Sequence, residues 1–240
     1  MKTHEHYGID APTVVRNLVF AGGALIVIGL FVARHLHVTT SSFLVPGLFM
    51  AGTAAWMLVS SLWLKKIVMR SILDEWQWRG DELVLDVGCG RGLVAIEAAR
   101  RTPRGFVHAI DLWQKVDLSG NAPEALLTNA RAANVETRVK VDTGDARNLP
   151  YPDTTFDFVT SMTAIHNIPE AGGRQAAIAE IWRVTKPGGK IGIFDIRHAR
   201  SYLRQLRTLG ATEIKLSGPI LLWGLLGWRF TVRKPPTPLA

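Results

Sequence analysis

Cysteine is nearly absent. Cys89 stands alone in 240 residues, which excludes an internal disulfide and fits a reducing compartment. A metal centre has no signature either, because the seven histidines and this one cysteine show no ligand spacing. No repeat or low-complexity tract occurs, and only the last residues, 235–240 with Lys234 before them, read as a loose proline-containing tail. Charge is missing from two long stretches: the 17 residues between Arg16 and Arg34, and the 27 between His37 and Lys65. A soluble helical hairpin rarely runs so far without a charge.

At ~1.5 Å per residue the first stretch reaches ~25 Å, slightly short of a ~30 Å hydrocarbon layer, and Arg16 and Arg34 extend it by snorkelling. The second is long enough to cross with tilt. A signal peptide is a poorer reading, since two apolar segments follow one another with no small-residue cleavage site before the second. The expectation is a two-helix membrane anchor over residues 1–64, with spans at about 14–36 and 42–64, then a linker helix over 65–80. The link between the spans is short, so both ends lie on one side. Lys2 and Arg16 precede the pair and Lys65, Lys66 and Arg70 follow it, against Arg34 alone in the link, which puts both ends in the cytoplasm. Gly22, Gly23, Gly29, Gly47, Ala51, Gly52, Ala54 and Ala55 offer small faces for close helix packing, within the pair or between copies.

Residues 82–111 follow another grammar. Leu83, Val84, Leu85 and Val87 suit a buried strand, Gly88, Gly90 and Gly92 permit a sharp turn open to a ligand, and 93–101 continue at helical spacing. Asp111 ends the next apolar run, where an acid can accept from ribose hydroxyls. A dinucleotide fingerprint fits less well, because its third glycine would fall at Leu93, one residue beyond Gly92.

Asp86-x-Gly88-x-Gly90-x-Gly92 followed by an acid-ended strand resembles motif I of the class I S-adenosylmethionine (SAM) methyltransferases. The resemblance continues through Gly144-Asp145-Ala146, through Phe156–Thr160 with the loop 161–167, and through the turn at 184–191. It is similar in particular to the ubiquinone/menaquinone-type enzymes, over about two-thirds of the chain. It implies an α/β fold over residues 81–234, a Rossmann-like seven-stranded mixed sheet of order 3-2-1-4-5-7-6, with SAM as cofactor. It also implies roles. Asp86, Gly88, Gly90 and Gly92 would lie under the methionine part, Asp111 would hold the ribose and Leu112 would lie against the adenine. Asp145 would accept from the adenine amino group with Ala146 beside it, and Ser161 and Met162 would face the sulfonium. His166 is the acid–base candidate by position and intrinsic pKa, or else a residue that only orients or packs.

One region departs from that pattern. Residues 111–124 are extended where a helix is expected, so Trp113, Asp117, Asn121 and Glu124 could form a lid over the cofactor or part of the acceptor pocket. Asn121 could at the same time cap a helix with Pro123 at an early position and Glu124 in its first turn. From Arg197 onward eight basic residues face Glu213 alone. Arg197, Arg200, Arg204 and Arg207 share one helical stripe opposite Tyr202, Leu203, Leu206 and Leu209, either an ordinary covering helix or a surface for anionic headgroups. The apolar run 218–228 reads as a loop between strands at 213–217 and 229–233 that dips into the bilayer or closes over the site.

These readings converge on an integral membrane methyltransferase of the cell (inner) membrane with its catalytic part in the cytoplasm. Its acceptor would be lipophilic: a quinol, an isoprenoid or a lipid headgroup. Small thiols or amines that partition into the bilayer are the alternative acceptors, and a non-catalytic SAM-binding scaffold is the alternative role. Nucleic acid is disfavoured, because 166–169 read His-Asn-Ile-Pro in place of an N/D-P-P-Y/F motif.

Overall fold

The computed structural model describes residues 5–36, 40–114 and 118–236; Asp117 of the expected lid, part of the inter-span link and residues 237–240 lie outside them. Two long helices come first, α1 (Pro12–Leu36) and α2 (Ser41–Val59). Helix α2 runs on through a π turn (Ser60–Leu64) into α3 (Lys65–Leu73), so the second apolar stretch and the linker helix form one continuous rod. The linker helix stops at Leu73 rather than near residue 80, where the Trp78 indole N–H donates to the Leu73 carbonyl at 2.8 Å.

Both helices are long and apolar enough to cross a membrane, and only 17 % of the most apolar window of each is buried. That separates them from the core helices of a soluble domain. They pack on each other through glycine: a Cβ at Gly22 would meet the Gly47 carbonyl oxygen at 3.0 Å, and one at Gly47 would meet Ile26 at 2.9 Å. Gly23 and Gly52, also among the expected small faces, look into open space and take no part in the contact between these two helices. Phe20, Phe31, Leu48 and Phe49 point outward and exposed.

A seven-stranded sheet follows in the order β3-β2-β1-β4-β5-β7-β6, as the resemblance implied. Its parallel part is β1 (Leu83–Val87), β2 (Phe106–Asp111), β3 (Val139–Thr143), β4 (Phe156–Met162) and β5 (Thr185–Asp195). Between them run α4 (Leu93–Arg101), α5 (Pro123–Ala132) and α6 (Ala171–Val184). Ile72, Leu73 and Trp76 pack with Val84, Phe158 and Phe194 on one face. Phe156, Ile178, Ile181 and Phe230 form the core of the other. Burial on both faces explains the continuous apolar runs of the central strands. The expected turn at 184–191 is a bulge within β5, since the register moves from Thr185 opposite Phe156 to Lys190 opposite Phe158. Lys234 is not loose; its ammonium donates to the carbonyls of Trp182 and Thr185.

Helix α7 (Ala199–Thr208) buries Tyr202, Leu203 and Leu206 on the sheet and leaves Arg200, Arg204 and Arg207 exposed, the arrangement of an ordinary covering helix. Leu209, expected on the apolar side, is 40 % exposed. The last correction concerns 218–228, which form no loop. Strands β6 (Thr212–Leu222) and β7 (Leu225–Arg233) extend through that run and turn at Trp223-Gly224. Pairing Ile220 with Gly227, Leu221 with Leu226 and Leu222 with Leu225 satisfies backbone groups that a loop would leave to solvent. Because Asp195 at the end of β5 pairs with Trp228, the hairpin tip projects beyond the strand ends, above the glycine-turn edge of the sheet.

Candidate active site

The site begins where β1 stops. Gly88 (φ 73°) turns the chain so tightly against the loop after β4 that a Cβ there would stand 2.1 Å from the Ala164 Cβ. Gly92 (φ 84°) opens α4, and a Cβ on it would strike Leu126 of α5 at 2.6 Å. Asp86, 2 % exposed, accepts from the Ala95 N–H at 3.0 Å and from the Thr160 hydroxyl at 3.0 Å, tying β1 to α4 and β4. Burial pushes its carboxyl up to about 7, against the lowering effect of those two hydrogen bonds.

Asp111 sits opposite the turn. Its carboxylate accepts from the Gly90 N–H at 2.8 Å, the Trp113 N–H at 2.7 Å and the Asn121 amide at 3.3 Å. Asn121 is therefore no helix cap: Ala122 holds that position, Pro123 begins α5 and the Asn121 side chain reaches into the site. Trp113 donates its indole N–H to Thr143, and Glu124 lies in the first turn of α5. At the far side the Arg147 guanidinium grips Asp145 at 2.6 Å and holds its carboxyl below the usual range.

These groups surround one cavity of about 250 Å³. Of the expected residues Asp86, Gly88, Gly90, Asp111, Leu112, Asp145, Ala146 and Met162 line it, with the Leu112 side chain half exposed as a flat apolar wall. Gly92, Ser161 and His166 do not. Gly92 is held off by its packing on Leu126, and Ser161 is buried in β4. The short 3-10 turn Ile165–Asn167 sends Ile165 and Asn167 to the cavity and His166 the other way. The His166 Nδ1 lies 2.6 Å from the buried Asp195 carboxylate, which also accepts from the His166 backbone N–H. Cys89 is buried in the cavity wall, and burial raises its thiol pKa.

Four residues that sequence reasoning did not assign to the site complete the other wall: Tyr7, Asp10, Lys65 and Trp223, with Met69 beside them. Residues 5–10 form a strap over the site. Its backbone bonds to Asn129 of α5 and to Ser119, while the buried Lys65 ammonium donates to the carbonyls of Tyr7 and Gly8 and pairs with Asp10 at 2.9 Å. Lys65 was read only as a charge that orients a span. No spacing rule links these residues, because the fold brings them together from three distant segments.

SAM fits this donor set. The glycine turn leaves room where side chains would block a ligand, and Asp111 keeps lone pairs beyond its three bonds for ribose hydroxyls. Leu112 and Ala146 offer apolar surfaces beside Asp145 for an adenine.

Comparison with known proteins agrees. Residues 84–189, somewhat under half the chain, match the family model described as a methyltransferase domain. A demethylmenaquinone methyltransferase of Lactobacillus johnsonii is 34 % identical over 119 residues, which are 49 % of this chain and 45 % of that protein. The chain thus spans about half the length of the curated relatives it matches. Among solved structures the cyclase SpnF superposes with a TM-score of 0.57 at 23 % identity, over 72 % of this chain and 81 % of that one. The geranyl diphosphate C-methyltransferase of Streptomyces coelicolor, solved with S-adenosyl-L-homocysteine (SAH), also gives 0.57, at 14 % identity over 74 % and 82 %. Residues 84–189 are thus similar to a methyltransferase domain, and the sheet that contains them has the fold of these solved structures.

Proposed function

We propose that the chain is a membrane-anchored SAM-dependent methyltransferase that works at the cytoplasmic face of the cell membrane on a lipophilic acceptor. Quinols, isoprenoids and lipid headgroups are the candidate classes. One observation carries this reading: a single continuous rod, α2 through the π turn to α3, is bare and apolar along its first part and supplies Lys65 and Met69 to the cavity wall. Any acceptor in that cavity sits beside a helix built for hydrocarbon. The name of the Lactobacillus johnsonii relative supports a quinone-type acceptor.

SAM, when bound, supplies an electrophilic methyl group. Asp111 would hold its ribose, with Asn121 and Gly90 fixing that carboxylate; Leu112 would lie against the base, Asp145 would accept from the amino group, and Met162 with the loop after β4 would face the sulfonium. His166 does not touch the acceptor on this reading. It positions the loop by bracing it on Asp195. The strap excludes water from the amino-acid end.

The test is transfer of labelled methyl from SAM into a fractionated lipid extract by the full chain, alongside Asp111→Ala. Label in a lipid fraction that vanishes in the variant supports the proposal. Label only in added thiols or amines sinks the lipophilic acceptor and supports a second reading. That reading draws on the lack of a histidine among the described residues that line the cavity, since thiols and amines need little help from a base. SAM binding without any turnover would mark a scaffold.

A further inference from the structure

Trp223 occupies a place that its residue type does not favour. With Gly224 it forms the two-residue turn of the β6–β7 hairpin, and both have positive φ, 52° and 81°. Such turns take Asn, Asp or Gly at the first position, because a bulky side chain is strained there. Hairpin tips also face water, yet Trp223 is only 8 % exposed while its neighbours Leu221, Leu225 and Leu226 are 42–50 % exposed. The tip as a whole is not drawn inward; Trp223 and the adjoining Leu222 are.

What draws it is visible. Its backbone N–H donates to the Ser60 hydroxyl at 3.1 Å and its indole N–H to the Ser61 hydroxyl at 3.1 Å. Both serines are buried and open the π turn of the rod. Ser61 also accepts from the Asp10 N–H, which joins the strap to the same point. With both N–H groups satisfied, what the indole presents to the cavity is apolar. Met69 and Leu118 also line the cavity, and the polar pair Lys65 and Asp10 is already engaged with itself.

We propose that Trp223 is the acceptor-facing wall of the cavity, a flat apolar surface against which an aromatic or quinonoid ring lies, and that Ser60 and Ser61 are positioning residues that hold it there. This rests on the methyltransferase reading above and narrows it: the acceptor presents a flat ring rather than a charged headgroup to the rod. Aromatic pairs gain from offset or edge contacts beyond simple area burial, which gives the wall its selectivity.

The experiment uses the full chain in lipid nanodiscs, with empty nanodiscs subtracted, and two separate titrations: SAH, then menadione against the SAH-loaded protein. Wild type is expected to bind both. Trp223→Ala should weaken menadione about tenfold and leave SAH within about twofold. Trp223→Phe should recover most of the loss, since it keeps a ring, and Ser60→Ala with Ser61→Ala should fall between. If Trp223→Ala also loses SAH, the phenylalanine and double-serine variants decide. Menadione binding that is absent in wild type, or unchanged in the variants, while SAH still binds overturns the wall. A wild type that binds no SAH overturns the methyltransferase reading itself, and the wall with it.

Discussion

The two walls of the cavity were assembled in opposite ways. One comes from short turns at the ends of adjacent strands: Asp86 to Gly90, Asp111 and Leu112, Asp145 and Ala146. Each group lies within a few residues of the next on its own segment, and the backbone itself makes much of the surface. The other wall is side chains only, from the strap, the rod and the tip of the last hairpin. Changes to the first should act on the cofactor and on folding, because turn geometry leaves little slack. Changes to the second should act on closure and on acceptor binding.

The largest expected effect is on the first wall. Gly88→Ala places a methyl group 2.1 Å from Ala164 at positive φ, and should cost roughly 3 kcal/mol of stability, read by thermal unfolding in detergent. Asp111→Ala should weaken SAH about a hundredfold by titration while the fold survives, because charged hydrogen bonds to two hydroxyls are lost. Turning to the second wall, Lys65→Met leaves the partly exposed Asp10 without its cation and should free the strap at a cost of roughly 2 kcal/mol. Faster hydrogen exchange at residues 7–10, with SAH binding retained, is the result that keeps the two walls separable.

The last expected effect is a slope rather than a loss. The Asp86 carboxyl is raised by burial from 3.8 to about 7, so the folded chain holds a proton in that window that the unfolded chain has released. Stability should fall as pH rises from about 4 to about 7 and level off above. Asp86→Asn should flatten that slope while keeping the contact to Ala95, and a slope that survives the substitution means another group titrates there.

How much was legible follows from the same contrast. The glycine turn and the acid-ended second strand could be read because their signals are local and periodic, whereas the sheet order came only from the resemblance those motifs carry. Gly23 and Gly52 misled because small residues mark close approach only on the side that happens to face the partner helix. The two roles open for His166 could not be separated by sequence, because a turn of three residues decides which of its side chains meets the cavity. The 218–228 run looked like a loop since it is apolar without alternation. Cross-strand pairing resolves it, and that requires knowing that Trp223-Gly224 is the corner. Asn121, Lys65 and Trp223 carry no motif at all. Their roles exist only once distant segments meet.

The π turn at Ser60–Leu64 has a further consequence. A wider turn accommodates one residue more than α winding would, and each residue is worth ~100° of rotation about the helix axis. That single insertion therefore sets the compass bearing of the two apolar helices relative to the sheet. Shortening the segment by one residue would swivel one against the other by more than a quarter circle.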